Sequence, residues 1–170
     1  SLGGPVQRIN RLGNRYQLAV TLPAMRSRDE GMLWASRLER AKQAGAVYTV
    51  PLDGFDPGSP GAPVVANAVA GGTSVYLGGL TAGYAFIEGQ WLSFVHAGRR
   101  YLHRTAVPAV ADGSGNCSIT LASMLRAPLS VSDPVEVAAP MIEGMITSAI
   151  GWEAMLEPYT ILGFTVAESE

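Results

Sequence analysis

The segment VHAGRRYLHR, residues 95–104, decides the fold, because it holds both histidines of the chain in a pattern typical of a β-hairpin. Histidine is the commonest metal ligand and the usual proton carrier near neutral pH, so the segment is either a reactive site or a turn. Taking Ala97 and Gly98 as a two-residue loop fixes the pairing of the flanking residues. The predicted pairs are His96 with Arg99, Phe94 with Tyr101, and Leu92 with His103.

This register keeps the two histidines apart. His96 and His103 fall on one face of the hairpin, about four residues from each other, which is roughly 13 Å at ~3.3 Å per residue. That separation is too long for one metal ion, so we predict a structural role for each ring. Phe94 and Tyr101 are predicted to form a cross-strand aromatic pair, worth about 0.2–1 kcal/mol to the sheet.

The N-terminal part predicts two strands with one helix between them. RYQLAVTL at 15–22 alternates like a strand, AVYTVPL at 46–52 is the second strand, and residues 28–44 form the helix. The sequence predicts a capping box formed by Ser27 and Glu30, and a glycine end at Gly45. The predicted buried stripe consists of Trp34, Leu38 and Ala41, widened by Met32, Leu33 and Ala35.

From residue 64 onward the chain reads as short strands separated by turns, with no alternation of strands and helices. This pattern predicts a mainly β fold, an antiparallel β-sandwich or barrel with one α-helix and a β-rich insertion. The predicted organisation is a discontinuous β core with the helix (1–53 plus 141–170), a linker loop (54–63) and a β-rich insertion lobe (64–140).

Charge is scarce and unevenly placed. Charged residues make up 15% of the chain, against a usual ~25%, which favours a protein that buries surface against neighbours. Residues 1–50 carry eight basic and three acidic side chains, whereas residues 51–170 carry four and eleven. These halves either complement each other, within one molecule or between copies, or reflect a solvated basic helix face. The net charge of −2 gives no indication of nucleic-acid binding.

No combination of residues predicts catalysis, a metal or a cofactor. Cys117 is the single cysteine and reads as a small strand residue. Asp53 and Asp56 lack the spacing of a calcium loop, and Ser114 lacks the strand-to-helix turn of a hydrolase serine. The Gly-rich stretches match no phosphate-binding motif. The glutamates that could supply a carboxylate pair show no selective spacing: Glu88, Glu136, Glu143, Glu153 and Glu157. We therefore expect no catalytic, cofactor-binding or metal-binding residues.

Membrane and export signals are also missing from the sequence pattern. No apolar run approaches the ~20 residues that cross a bilayer. The first residues, SLGGPVQRINRLGNRYQ, lack the apolar region of a signal peptide. We expect no membrane partner.

The second half resembles a family of small tail proteins from long-tailed bacteriophages and prophages. The resemblance rests on the succession EGQ (88–90), GRRYLHR (98–104), ADGSGN (111–116) and VEVAAPMIEG (135–144). TLPAMR at 21–26 and GFTVAE at 163–168 extend it over nearly the whole chain. The set is fairly specific, and each piece alone is weak.

The resemblance implies a distal-tail-like virion protein of the tail tip or baseplate. Such a protein forms a ring, a homohexamer in keeping with tail symmetry, that joins the tail tube to the tip. The implied partners are its own copies, the tail tube protein and the tail hub or tip proteins. The implied location is the virion, with the host cytoplasm during assembly. The family has no catalytic residues or cofactors to transfer.

Two rival interpretations remain at this point. The first is a monomeric β-sandwich module that binds glycans on an aromatic platform of Tyr84, Trp91 and Tyr101. The second is an enzyme, which would need a pocket with converging polar groups that the sequence does not display.

Overall fold

The computed structural model describes residues 15–148, 150–154 and 159–169, and for residues 151–154 the backbone alone. Over these residues the protein is mainly β, with one α-helix and several antiparallel sheets that close into no barrel, a sandwich-like arrangement. The strands before the insertion are β1 (Gln17–Thr21), β2 (Met25–Arg26) and β3 (Ala46–Thr49). The middle strands are β4 (Gly61–Val65), β5 (Ser74–Leu80), β6 (Ala85–Phe86), β7 (Trp91–His96), β8 (Arg99–Arg104), β9 (Ala109–Val110), β10 (Cys117–Thr120) and β11 (Val135–Glu136). The last strands are β12 (Met141–Ile146), β13 (Gly151–Ala154) and β14 (Tyr159–Glu168).

A six-stranded sheet joins the two ends of the described chain. Its order is β1-β14-β12-β3, and β2 and β13 also pair with β14. The packing at its centre is tight. A Cβ added to Gly144 on β12 would lie 1.8 Å from the carbonyl oxygen of Ala167 on β14. Only glycine fits at this close approach of two backbones.

The helix begins with a π-helical turn, Ser27–Gly31, and continues as α1, Met32–Ala44. The predicted helix at 28–44 is confirmed, but the predicted capping box is wrong. Ser27 already lies inside the first turn, where its carbonyl accepts the N–H of Met32, and no side chain caps the start. Gly31 is buried against β14, where an added Cβ would meet the Thr160 side chain at 2.6 Å.

One part of the predicted helix stripe is also wrong. Leu38 is buried, and Trp34, Ala35 and Ala41 pack around it on the main sheet, as predicted. Met32 and Leu33, however, are 63% and 49% exposed. At 100° per residue these two positions turn away from Leu38, so they cannot share its face. Gly45 ends the helix at φ 86°, as its position predicts.

The middle of the chain forms three smaller antiparallel sheets. Their orders are β10-β5-β4, β11-β7-β8 and β6-β9. β4 begins at Gly61, inside the predicted linker 54–63. Asp112 closes the turn before β10, where its Oδ1 accepts the backbone N–H groups of Ser114 and Asn116.

Two hydrophobic clusters lie on either side of the β7–β8 hairpin. The insertion cluster draws its buried residues from positions 65–137. The main-sheet cluster draws most of its residues from positions 16–50 and 142–166. The hairpin supplies Leu92 and Phe94 to the first cluster, and Leu102 and Trp91 to the second. It is therefore the structural link between the two clusters, and the division of the chain into a discontinuous core and a lobe stays a prediction.

Candidate functional site

The β7–β8 hairpin has the register that its sequence predicts. His96 pairs with Arg99, Phe94 with Tyr101, and Leu92 with His103. Ala97 and Gly98 both have positive φ, 50° and 78°, as in the tight turns that match the twist of two antiparallel strands. The predicted aromatic pair of Phe94 and Tyr101 is wrong, although the two residues are register partners. Phe94 instead packs edge-on against His103, with 5.7 Å between ring centroids.

His96 holds the tip of the hairpin to a neighbouring loop. Its Nδ1 lies 2.7 Å from Oδ2 of Asp133. The same carboxylate oxygen accepts the backbone N–H of Ser130 at 2.7 Å, and the N–H of Val95 donates to the carbonyl of Pro134 at 2.9 Å. The histidine at this end of the hairpin thus fixes a loop.

His103 is enclosed in the protein interior. Its exposure is 0%, and its Nδ1 lies 3.3 Å from the hydroxyl of Ser123. Burial, assisted by the positive charge of Arg126, lowers the pKa of His103 to about 3. The ring is therefore neutral near pH 7 and does not exchange protons there.

A buried ion pair between Glu168 and Arg126 lies next to this histidine. Each carboxylate oxygen of Glu168 accepts one N–H of the Arg126 guanidinium. Oε2 also accepts the backbone N–H of Tyr16 at 2.8 Å, and Oε1 accepts that of Leu102 at 2.8 Å. Arg126 also donates to the carbonyl of Leu102 at 3.1 Å. Its guanidinium lies 5.9 Å from the centroid of the Tyr101 ring.

This ion pair ties four segments together. Glu168 ends β14, Leu102 lies in β8, Tyr16 precedes β1, and Arg126 belongs to the loop after β10. The side chains of Glu168 and Arg126 are 2% and 10% exposed. Removing one partner of such a pair is strongly destabilising, because it leaves the other partner as an uncompensated buried charge. Reasoning from the sequence missed it. Glu168 falls at an inward position of an alternating strand, and that was the available signal.

A second ionic cluster lies beside the hairpin. Arg100 donates from Nε to Glu136 at 3.0 Å, and its Nη1 lies 3.7 Å from Oε2 of Glu143. The hydroxyl of Ser93 donates to Glu136 at 2.6 Å and accepts the N–H of Met141 at 3.0 Å. Of the candidate carboxylates, the structure therefore brings Glu136 and Glu143 together, on one arginine. Glu88 is exposed elsewhere, the side chain of Glu153 is not described, and Glu157 lies outside the described residues.

The remaining candidates from the sequence have local roles. Asp56 accepts the N–H of Gly58 at 2.8 Å. Cys117 is buried, and burial, with a further contribution from Asp112, raises the pKa of its thiol. Ser114 lies in the turn that Asp112 closes. Within the described part of the chain, no three histidine, cysteine, aspartate or glutamate side chains are grouped so that they could hold a metal ion.

The aromatic platform of the glycan-binding interpretation is not assembled. Trp91 and Tyr101 occupy opposite faces of the hairpin. Tyr101 shares a face with its register partner Phe94, which is three residues from Trp91 on the same strand, and successive side chains of a strand point to opposite faces. Trp91 is covered by Arg104, whose guanidinium lies 3.6 Å from a ring centroid, and Tyr16 packs edge-on at 5.0 Å. The Tyr84 hydroxyl donates to the carbonyl of Pro57 at 2.9 Å.

Three clefts on the described surface are small and open. A groove of about 380 Å³ runs along Pro60–Val64 and residues 134–141, with an almost entirely apolar lining. Two others measure about 240 Å³ beside β3 and about 210 Å³ between residues 51–55 and 87–91. Sites for small ligands usually enclose about 300–1,000 Å³ around several converging polar groups. None of these three clefts combines that volume with such groups.

Comparison with known proteins assigns no family. No protein-family model matches the chain, and no curated protein sequence matches it. In the described part of the chain, no helix has both the length and the apolar character to cross a membrane.

Proposed function

We propose that the protein is a structural subunit of the tail tip of a long-tailed phage or prophage. In this proposal it assembles with its own copies into a ring of six that joins the tail tube to the hub or tip proteins. Its function is assembly and its mechanism is surface recognition. Neither nucleic acid nor membrane is among the proposed partners.

The edge of the six-stranded sheet at β3 supports self-association most directly. β3 pairs with β12 on one side, and no strand of the described residues pairs with its other side. The strand AVYT contains neither a charged residue nor a proline, and Val47 is 50% exposed. Monomeric proteins usually protect such edges with lysine, proline or a bulge, so an unprotected edge favours a partner.

The polar contacts of the molecule also favour a structural role. His96, Arg100 and Arg126 each hold loops or strands of distant sequence positions together. The succession of motifs that resembles phage tail proteins falls largely on these same parts. Gln90 of EGQ donates from its side chain to the Tyr84 hydroxyl at 2.9 Å, and GRRYLHR is the second strand of the hairpin.

Negative-stain electron microscopy of the purified protein tests this proposal. We expect annular particles of uniform diameter. Val47→Lys places a charge on the β3 edge and should disperse the particles. Val110→Lys is the matched control, because Val110 is 64% exposed on β9, and it should leave them intact. Fields of single small particles for the wild-type chain would refute the ring.

A further inference from the structure

An apolar cleft lies where the loop after β3 meets the start of the β7 strand. Its apolar lining is Pro51, Leu52, Phe55, Ile87 and Trp91, and Ile87 is 48% exposed. Two carboxylates, Asp53 and Glu88, stand on its rim and are exposed. At about 210 Å³ the cleft is too small for a typical ligand, but its size and lining suit the side chains of a protein partner.

The charge around this cleft is negative. Asp56, next to the lining residue Phe55, adds a third exposed carboxylate. One cation lies nearby, the guanidinium of Arg104, which covers the Trp91 ring. Among the lining residues themselves there is no arginine or lysine. A partner that fits this surface presents an apolar side chain flanked by positive charge.

The outer side of α1 presents that combination. Leu33, Arg37 and Arg40 are spaced by four and three residues, so they form one stripe along the helix. All three are exposed, and they face away from Leu38, which packs on the main sheet. The Arg37 guanidinium lies 5.7 Å from the centroid of the Trp34 ring, so the Arg37 side chain extends along the helix surface. Leu33 is 49% exposed although the helix is already anchored on the main sheet through Leu38.

We propose that the Leu33–Arg37–Arg40 stripe of one copy docks in the cleft between residues 51–55 and 87–91 of the next copy. The leucine enters the apolar lining, and the two guanidinium groups face Asp53 and Glu88. This inference rests on the proposed self-association and adds a second pair of contact surfaces to the β3 edge. An apolar helix stripe seated in a groove is a common mode of recognition, and charge at its rim sets orientation.

A contact of this kind is compatible with a ring. The stripe and the cleft are different surfaces, so the contact is head-to-tail and repeats from copy to copy. A repeated head-to-tail contact closes when its rotation divides a full turn. The uneven charge of the chain then has a direct use, because the basic helix of each copy meets the acidic cleft of its neighbour.

Charge reversal, followed by analytical ultracentrifugation, tests the contact. Arg37→Glu with Arg40→Glu reverses both charges of the stripe. Asp53→Asn with Glu88→Lys removes one negative charge of the cleft and reverses the other, which makes this pair of positions net positive. Asparagine is chosen at position 53 because the φ of 25° there is one that asparagine tolerates. Each variant alone should associate at least about tenfold more weakly than wild type, since each turns attraction into repulsion. Arg28→Glu with Lys42→Glu reverses two exposed charges of the same helical segment outside the stripe and should associate like wild type.

The decisive measurement is the association of the two reversal variants mixed in equal amounts. The reversed stripe of one then meets the reversed cleft of the other, so association should return to within a few-fold of wild type in alternating rings. If wild type assembles but the reversal variants assemble equally well, or the mixture fails to recover, the contact is wrong and the proposed function stands. If wild type itself remains a monomer, the proposed self-association fails and this contact fails with it.

Discussion

Replacing Glu168 by glutamine should strongly destabilise the folded protein. Each of the two carboxylate oxygens accepts a backbone N–H and a guanidinium nitrogen. A glutamine side chain keeps one acceptor oxygen and puts an NH₂ group in place of the other. Whichever way the amide turns, its NH₂ faces a backbone N–H of Tyr16 or Leu102 and one nitrogen of Arg126. Donor meets donor in both orientations.

The size of the loss follows from these contacts. An orphaned buried backbone N–H costs about 1–3 kcal/mol. The Arg126 charge, 10% exposed, loses its counter-charge, and breaking a buried pair on one side typically costs about 3–5 kcal/mol. The two losses overlap because they share one side chain. We therefore expect Glu168→Gln to lower the free energy of unfolding by about 3–5 kcal/mol.

Urea denaturation followed by tryptophan fluorescence and far-UV circular dichroism measures this loss, provided that both probes give one transition. Glu39→Gln is the matched control, because Glu39 is exposed and lies outside the proposed contact surfaces, and it should change stability by less than about 0.5 kcal/mol. Combining Glu168→Gln with Arg126→Met removes both charges, and the double variant should lose clearly less than the sum of the single losses. A loss below about 1 kcal/mol for Glu168→Gln would refute the assigned role of this ion pair.

Three further predictions concern single buried positions. The pKa of His103 is lowered to about 3 in the folded protein. Between that pH and about 6.5, His103 is protonated in the unfolded chain but not in the folded chain. The free energy of unfolding therefore falls as the pH drops through this range, by up to about 5 kcal/mol. His103→Leu should flatten the pH dependence of the urea midpoint between pH 7 and 4.5; an unchanged slope would argue against it. The Cys117 thiol, buried and with a raised pKa, should react with Ellman's reagent only after urea unfolds the chain, and rapid labelling of the native protein would contradict its burial. Gly144→Ala should cost about 3 kcal/mol or more, because the new Cβ meets the carbonyl of Ala167, whereas Gly113→Ala, with open space around it, should stay near wild type by thermal melting.

The parts of the fold that depend on local pattern could be predicted from the sequence. The two-residue loop of Ala97 and Gly98, both at positive φ, fixes the hairpin register, since a two-residue loop leaves one pairing. The helix was predicted from the spacing of Trp34 and Leu38. The Ser27 cap predicted for its start is wrong, because the chain forms a π-helical turn there, with Gly31 packed closely against β14. That approach depends on a strand far along the sequence.

The polar contacts of the site were beyond reach for the same reason. Glu168 and Arg126 are 42 residues apart, and Tyr16 is 152 residues from its acceptor. No local pattern joins them. The aromatic platform of Trp91 and Tyr101 failed because both were judged by residue type, although the predicted register already placed them on opposite faces.

The absolute mass of the wild-type protein in solution, by light scattering over a wide concentration range, tests the central claim most directly. One chain has a mass of 17.8 kDa. Self-association into the proposed ring predicts a species near ~107 kDa, six copies, that dissociates on dilution or at high salt. A constant mass of one chain at every concentration would contradict the account.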